Sequence, residues 1–181
     1  MFRNSRDSWG WVSIIFHWVS ALTTVSLFAL GLWMVSLDYY SDWYQVAPHW
    51  HKSVGVLFIM LLFLRLLWRA VNPTPAAIDT HQNWEKVSAK CAHFALYFLL
   101  FSMLPTGYLI VTVSGQDLQV FNWFAVPSLF QSESNIEDLA GEIHEIVGFT
   151  IIGIATIHAL GALKHHFFDK DRTLSRMLCA R

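Results

Sequence analysis

The sequence is poor in charged residues. Asp, Glu, Lys and Arg make up 14% of its 181 residues, whereas a soluble domain carries about 25%. The hydrophobic share is 55%, so the shortage of charge indicates that lipid is the solvent. The net charge of -1 provides no basic field, which argues against a nucleic-acid partner. The length is sufficient for a single domain over residues 1–181.

Cysteine is also scarce. Cys91 and Cys179 are the two cysteines, and they form neither a CxxC nor a CxxCH motif. A covalently attached c-type haem is therefore excluded, and a thiolate metal site is not expected. We interpret both cysteines as small apolar side chains that fill space.

Four long apolar segments follow one another along the chain. Each is close to the length of about 20 residues that crosses a bilayer. Because backbone polar groups must be satisfied internally in lipid, these segments are expected to be helices. The longest connection, residues 114–140, is rich in aromatic residues and is expected to lie in the membrane interface. We predict an all-α, integral membrane four-helix bundle with helices at about 12–37, 51–71, 91–113 and 141–163.

Lysine and arginine lie almost entirely on one side of this predicted bundle. The connections that follow the first and third helices contain none, and Lys52 alone lies on their side. By the positive-inside rule, both termini are expected to be cytoplasmic. The residues on that side are Arg3, Arg6, Arg65, Arg69, Lys86, Lys90, Lys164, Lys170, Arg172, Arg176 and Arg181.

Histidines occur inside the apolar segments, where ionisable residues are costly and are functional candidates. Fourteen residues separate His144 from His158, so both face the same side of one helix, about 21 Å apart along its axis. His17 matches the depth of His158, and His51 matches the depth of His144. We predict two axial pairs, each holding the iron of a haem b.

Small residues next to these histidines would leave room for a macrocycle. Gly55 and Gly148 follow His51 and His144 at i+4, whereas His93 has the bulky Tyr97 at i+4 and is rejected as a ligand. Small residues also mediate helix packing in membranes, so this signal has an alternative explanation. A zinc site would need a clustered tetrahedral set, and a proton pathway would need acids that the helix interiors almost lack.

Two further residues are candidates for cofactor binding. Arg65 lies fourteen residues after His51 and is expected to neutralise a haem propionate. His165 lies seven residues after His158 and is a candidate to bind a quinone carbonyl or a propionate. A solvated helix end is the alternative for His165. His93 is expected to border the inner haem or a quinone pocket, or to have a structural role.

The order and spacing of these motifs resemble the bacterial cytochrome b561 family over essentially the whole chain. The resemblance implies an inner-membrane protein with two non-covalent b haems and with His17, His51, His144 and His158 as axial ligands. The matching motifs are Phe16-His17-Trp18, His51-Lys52-Ser53-Val54-Gly55, Arg65 with Trp68-Arg69, Asn72-Pro73-Thr74-Pro75, His93 with Tyr97, Gly107-Tyr108, His144, His158, Lys164-His165-His166 and the tail from Asp169 to Met177.

Two histidines per iron leave no open coordination position, which favours electron transfer over oxygen binding. We therefore expect a di-haem cytochrome that carries electrons across or within the inner membrane and exchanges them with a quinone, ubiquinone being a candidate, or with a redox partner protein. The alternatives are a membrane-anchor subunit of a partner dehydrogenase, a superoxide:quinone oxidoreductase, and a haem-free membrane protein. The sequence does not decide between an electron carrier and an enzyme, and it leaves a homo-oligomer open.

One departure from some relatives lies between the second and third helices. Residues 76–83 lack the lysines found there in those relatives and offer His81 instead. We interpret His81 as an exposed loop residue, and this departure weakens the expectation of a quinone site.

Overall fold

The computed structural model describes residues 1–78, 80–132 and 135–180. Arg181, counted above among the basic residues, lies outside them, as do residues 79, 133 and 134. Within the described residues, four helices are long and apolar enough to cross a membrane. The predicted all-α class with four spanning helices is confirmed. The helices are α1 (Trp11–Val35), α2 (Val46–Val71), α3 (Asn83–Thr112) and α4 (Ile136–Phe167).

Helices α2, α3 and α4 begin earlier than predicted. In α3 and α4 the added first turns carry charged residues, which an apolar segment excludes. In α3 the Glu85 carboxylate accepts a hydrogen bond of 2.9 Å from the Gln82 N–H, which caps the helix start. In α2 Pro48 lies near the start, where the missing N–H leaves few helical hydrogen bonds unmade. The 30 residues of α3 and 32 of α4 correspond to about 45 and 48 Å. Their ends therefore extend beyond a hydrocarbon core of about 30 Å.

The chain divides into two compact units, and every spanning helix contributes to both. We call the first the terminal unit, since it contains both ends of the described chain, and the second the loop unit. The terminal unit comprises Met1–Leu22, Leu61–Tyr97 and Gly153–Arg181, and the loop unit comprises Thr23–Met60 and Phe98–Ile152.

The N-terminal segment of the terminal unit is held by one buried asparagine. Asn4 is 8% exposed. Its amide nitrogen donates to the Pro73 carbonyl at 3.0 Å, and its amide oxygen accepts from the Gly10 N–H at 3.0 Å and the Ser13 hydroxyl at 2.7 Å. A backbone bond of 2.8 Å from Ala76 to Arg6 lies alongside. These bonds tie the segment before α1 to the connection after α2.

The C-terminal tail packs on the same unit. Its 3-10 helix, Ser175–Met177, follows α4. The Trp18 indole N–H donates to the Met177 carbonyl at 2.7 Å, and the Arg176 guanidinium donates to the Ala76 carbonyl at 2.8 Å. The tail is thereby fixed to α1 and to the connection between α2 and α3.

The loop unit contains a β-hairpin that the sequence did not predict. Strands β1 (Leu118–Val120) and β2 (Phe124–Val126) pair antiparallel. Phe121 and Asn122 have φ values of 46° and 60°, and the Trp123 N–H bonds to the Val120 carbonyl at 2.8 Å. Two successive positive φ angles are typical of a tight hairpin turn. The Phe121 N–H donates to the buried Ser53 hydroxyl at 2.9 Å, which anchors the hairpin to α2.

Candidate functional site

Each unit contains one pair of opposed imidazoles. In the loop unit the ring centroids of His51 (α2) and His144 (α4) lie 6.2 Å apart, with an interplanar angle of 65°. In the terminal unit the centroids of His17 (α1) and His158 (α4) lie 6.4 Å apart, at 63°. The structure thus brings together the two pairs that the sequence predicted by depth.

The spacing of each pair suits one metal ion between two rings. An imidazole nitrogen lies about 2.0 Å from a bound first-row metal, and about 1.2 Å from its own ring centroid given the usual ring bond lengths. Two imidazoles on opposite sides of one iron therefore have centroids about 6.4 Å apart. The observed 6.2 and 6.4 Å agree with this value.

His93 lies next to the terminal-unit pair. Its ring centroid is 4.9 Å from that of His158. That separation is too short for two axial ligands of one iron, so the geometry favours His17 as the partner of His158. His93 borders the pair, in agreement with one of the roles expected for it.

A bare metal ion is a poorer fit to these four histidines. Among the described residues, the groups of three His, Cys, Asp or Glu side chains close enough to share an ion include none of them. Zinc prefers three or four clustered ligands. Two opposed imidazoles without further ligands leave the equatorial positions to a group such as a porphyrin.

Thr106 contacts the ring of His144. Its hydroxyl lies 2.9 Å from His144 Nδ1 and 3.1 and 3.2 Å from the Ser102 and Met103 carbonyls. When the hydroxyl donates to either carbonyl, it accepts from His144 Nδ1–H. That arrangement leaves His144 Nε2 unprotonated, as a metal-ligating histidine requires.

Two glycines that the sequence analysis did not single out as spacers contact the loop-unit pair. A Cβ on Gly31 would lie 3.4 Å from His51 Cε1, and a Cβ on Gly107 would lie 3.2 Å from His144 Cε1. The buried His51 Nδ1 has no hydrogen-bond partner of acceptable geometry among the described residues. The sequence signal that could have identified these two contacts is a glycine inside an apolar helix, Gly31 in α1 and Gly107 in α3.

The predicted spacers Gly55 and Gly148 differ from each other. Open space surrounds Gly55, where nothing would lie within 4 Å of an added Cβ. A Cβ on Gly148 would meet the Phe28 ring at 3.7 Å, an ordinary contact. A side chain at Gly55 would thus meet no neighbour, whereas Gly148 faces a ring of α1.

Gly107→Ala is expected to destabilise the protein relative to Gly141→Ala by about 1–3 kcal/mol. The new methyl group would press on an imidazole that Thr106 already holds, which is a case of overpacking. Nothing lies within 4 Å of a Cβ on Gly141, so that control gains helix propensity without a clash. Unfolding of the two purified variants in denaturing detergent measures the difference, and equal stabilities would contradict the expectation.

Arg65 contacts His17 directly. Its guanidinium donates to His17 Nδ1 at 3.2 Å and lies 5.4 Å from the centroid of the Tyr97 ring. Arginine has no acceptor, so His17 Nδ1 must be unprotonated in this arrangement. The Arg65 side chain is thus held by a histidine of the terminal-unit pair and by an aromatic ring.

His81 is not the exposed loop residue that the sequence suggested. Its side chain is 15% exposed, and its Nε2 lies 2.8 Å from Asp171 Oδ2. Its ring lies 4.2 Å from that of His165, whose Nδ1 is 2.6 Å from Asp169. The earlier interpretation was wrong because the partner of His81 lies ninety residues further along the chain. His165 is likewise 13% exposed and paired, which differs from a solvated helix end.

Apolar spanning helices with opposed imidazoles are typical of membrane-embedded cytochromes that hold haem between two histidines. Residues 8–179 match the family described as prokaryotic cytochrome b561, and the chain belongs to this family. It is a membrane electron-transfer protein, and its family implies that it binds haem b. The predicted resemblance is confirmed.

The curated relatives span nearly the same length as the chain. It is 43% identical to cytochrome b561 homolog 2 of Escherichia coli (strain K12), over 98% of the chain and 94% of that protein. It is 27% identical to cytochrome b561 homolog 1 of the same organism, over 93% and 95%. It is 25% identical to the probable superoxide oxidase CybB of Yersinia pestis, over 90% of each.

Proposed function

We propose that the chain is a di-haem b-type cytochrome that carries electrons across or within the bacterial inner membrane and exchanges them with a quinone. His17 and His158 would hold one haem b, and His51 and His144 the other. The observation that carries this proposal is that each unit contains an imidazole pair with the centroid separation expected for one iron, 6.4 Å and 6.2 Å.

The protein would contribute ligation, orientation and a dry environment. Haem iron supplies reversible one-electron chemistry when it is bound. Two imidazoles per iron leave no position for oxygen, which favours electron transfer. Thr106 would hold the His144 ring in the tautomer that ligation needs. Gly55 and Gly148 were expected to leave room for the macrocycle, and the open space at Gly55 supports that role.

Arg65 would neutralise a propionate of the haem held by His17 and His158, through charge-assisted hydrogen bonds. His17 would ligate through Nε2 with its proton on Nδ1, so the guanidinium would pair with the propionate and not with Nδ1. Tyr97, beneath the guanidinium, would limit how far it moves.

The quinone part of the proposal involves His165. Asp169 accepts from His165 Nδ1 at 2.6 Å, and a second proton on Nε2 would be available to a quinone carbonyl. Ubiquinone or a redox partner protein would then receive or supply electrons. Both termini would be cytoplasmic, as the distribution of Lys and Arg indicates.

Two alternatives remain within the same family. The probable superoxide oxidase CybB of Yersinia pestis supports a superoxide:quinone oxidoreductase. A membrane-anchor subunit of a dehydrogenase would instead co-purify with a peripheral partner. Superoxide-dependent reduction of the haem band, tested beside quinol-dependent reduction, separates the first alternative from a general quinone-linked carrier.

Haem analysis of the purified protein is the test. We expect a sharp α-band on reduction and two haem b per chain in the pyridine haemochromogen assay. We also expect that a ubiquinol analogue reduces the band in detergent or in proteoliposomes. A colourless protein, or one haem per chain, would overturn the di-haem assignment. Full haem content without any reduction by quinol would contradict only the quinone part of the proposal.

A further inference from the structure

A second cluster of metal-ligating side chains lies in the terminal unit, outside the imidazole pairs. It joins three segments: His81 from the connection before α3, His165 from the end of α4, and Asp171 from the C-terminal tail. Their side chains are 15%, 13% and 5% exposed. Each offers a nitrogen or oxygen atom, and these atoms all lie within 4.8 Å of one another.

The distances in this cluster are those of a near-complete ion site. Asp171 Oδ2 lies 2.8 Å from His81 Nε2 and 3.6 Å from His165 Nδ1. Neighbouring ligand atoms of a tetrahedral zinc ion lie about 3.3 Å apart. The two observed distances bracket that value, so only small side-chain movements would admit an ion.

The carboxylate of Asp171 is oriented toward the two rings. Its other oxygen, Oδ1, accepts a hydrogen bond of 2.8 Å from the Thr173 N–H. The pKa of Asp171 is lowered: burial opposes this shift, but the hydrogen bonds from Thr173 and His81 outweigh it. A ligand held by a backbone N–H in this way resembles the supported ligands of metal sites.

Two further carboxylates border the cluster. Asp169 Oδ2 lies 2.6 Å from His165 Nδ1, and Glu85 Oε1 lies 4.0 Å from His165 Nε2. Lys164 bonds both carboxylates, at 2.7 and 2.8 Å. The hydrogen bond from this lysine lowers the pKa of Asp169. Either carboxylate, or a water, would complete a fourth coordination position.

The two imidazole rings of the cluster lie against each other. Their centroids are 4.2 Å apart and their planes are inclined by 30°. Imidazole ligands favour zinc, copper and nickel over magnesium and calcium.

We propose that His81, His165 and Asp171 form a binding site for a divalent transition-metal ion of the zinc class. The ion would replace the protons that His81 Nε2 and His165 Nδ1 direct at Asp171 and Asp169. It would tie the connection after α2 to the C-terminal tail. The site does not depend on the proposed function. An ion on His165 Nδ1 would leave the Nε2 proton available to a quinone carbonyl.

Zinc titration of the full-length haem-loaded protein tests this site. The protein is purified without a histidine tag, stripped with a chelator, and titrated with Zn²⁺ against a chromophoric competitor. We expect one Zn²⁺ per chain, unaffected by excess Mg²⁺. X-ray absorption should show two imidazole ligands at about 2.0–2.1 Å.

Substitutions of single ligands provide the second part of the test. His81→Gln and Asp171→Asn should weaken Zn²⁺ binding at least about tenfold, since removal of even an outer hydrogen-bond partner costs about 10–100-fold. His49→Gln is the matched control, because His49 lies in the loop unit against Phe121. An unchanged haem spectrum in every variant shows that the fold is retained.

Three results would overturn the proposal. The first is a zinc X-ray absorption spectrum without imidazole ligands, and the second is displacement of Zn²⁺ by Mg²⁺. The third is a loss of Zn²⁺ affinity in His49→Gln equal to that in the ligand variants. If either ligand variant fails to fold, the stoichiometry and the absorption spectrum of the wild-type protein still decide, because both report on the native site.

Discussion

His158→Ala is expected to lower the haem content of the purified protein from two per chain to one. The His17 and His158 centroids are 6.4 Å apart, and removal of one imidazole would leave a haem at this pair with one protein ligand in place of two. His51→Ala should remove the other haem and leave the first. The α-bands of the two variants should therefore be complementary, so that the sum of the two spectra reproduces the spectrum of the wild-type protein.

His93→Ala is the matched control for these variants. Its ring lies 4.9 Å from that of His158, so it shares the environment without the spacing of an axial ligand. We expect it to retain both haems, with a changed band position or potential at most. Retention of two haems by His158→Ala, or loss of one by His93→Ala, would contradict the pairing.

Gly10→Ala is expected to destabilise the terminal unit by at least about 3 kcal/mol, the upper end of ordinary overpacking costs. A Cβ on Gly10 would lie 2.3 Å from the Phe2 carbonyl oxygen and 2.5 Å from the Arg3 carbonyl. These are backbone atoms, so no side-chain rotation relieves the clash. Movement of the segment would also break the bonds from Gly10 and Ser13 to the buried Asn4 amide.

Limited proteolysis and denaturant unfolding of the purified protein measure this effect. Cleavage before α1 should become much faster in Gly10→Ala. Gly153→Ala is the control in the same unit, because nothing lies within 4 Å of its Cβ. If the two alanine variants unfold and are cleaved alike, then the N-terminal segment is not packed as described.

The sequence predicted the spanning helices and the histidine pairs for physical reasons. A long apolar run has one stable form in lipid, which is a helix. The helical period then determines which residues share a face and a depth. His144 and His158 could therefore be matched to His51 and His17 without a structure.

Other features depend on contacts between distant segments and left no local signal. Gly107 and Thr106 contact His144 because of the rotation of α3 about its axis. The hydrophobic pattern of a helix that is apolar on all sides does not predict that rotation. His81 was misinterpreted because Asp171 is far away in the chain. The hairpin escaped prediction because strands of three residues are too short to show alternation.

The contact between Arg65 and His17 places a positive charge beside the terminal-unit pair. A guanidinium is not deprotonated in proteins, so this charge persists at every physiological pH. A haem held by His17 and His158 would therefore be easier to reduce than it would be without this cation.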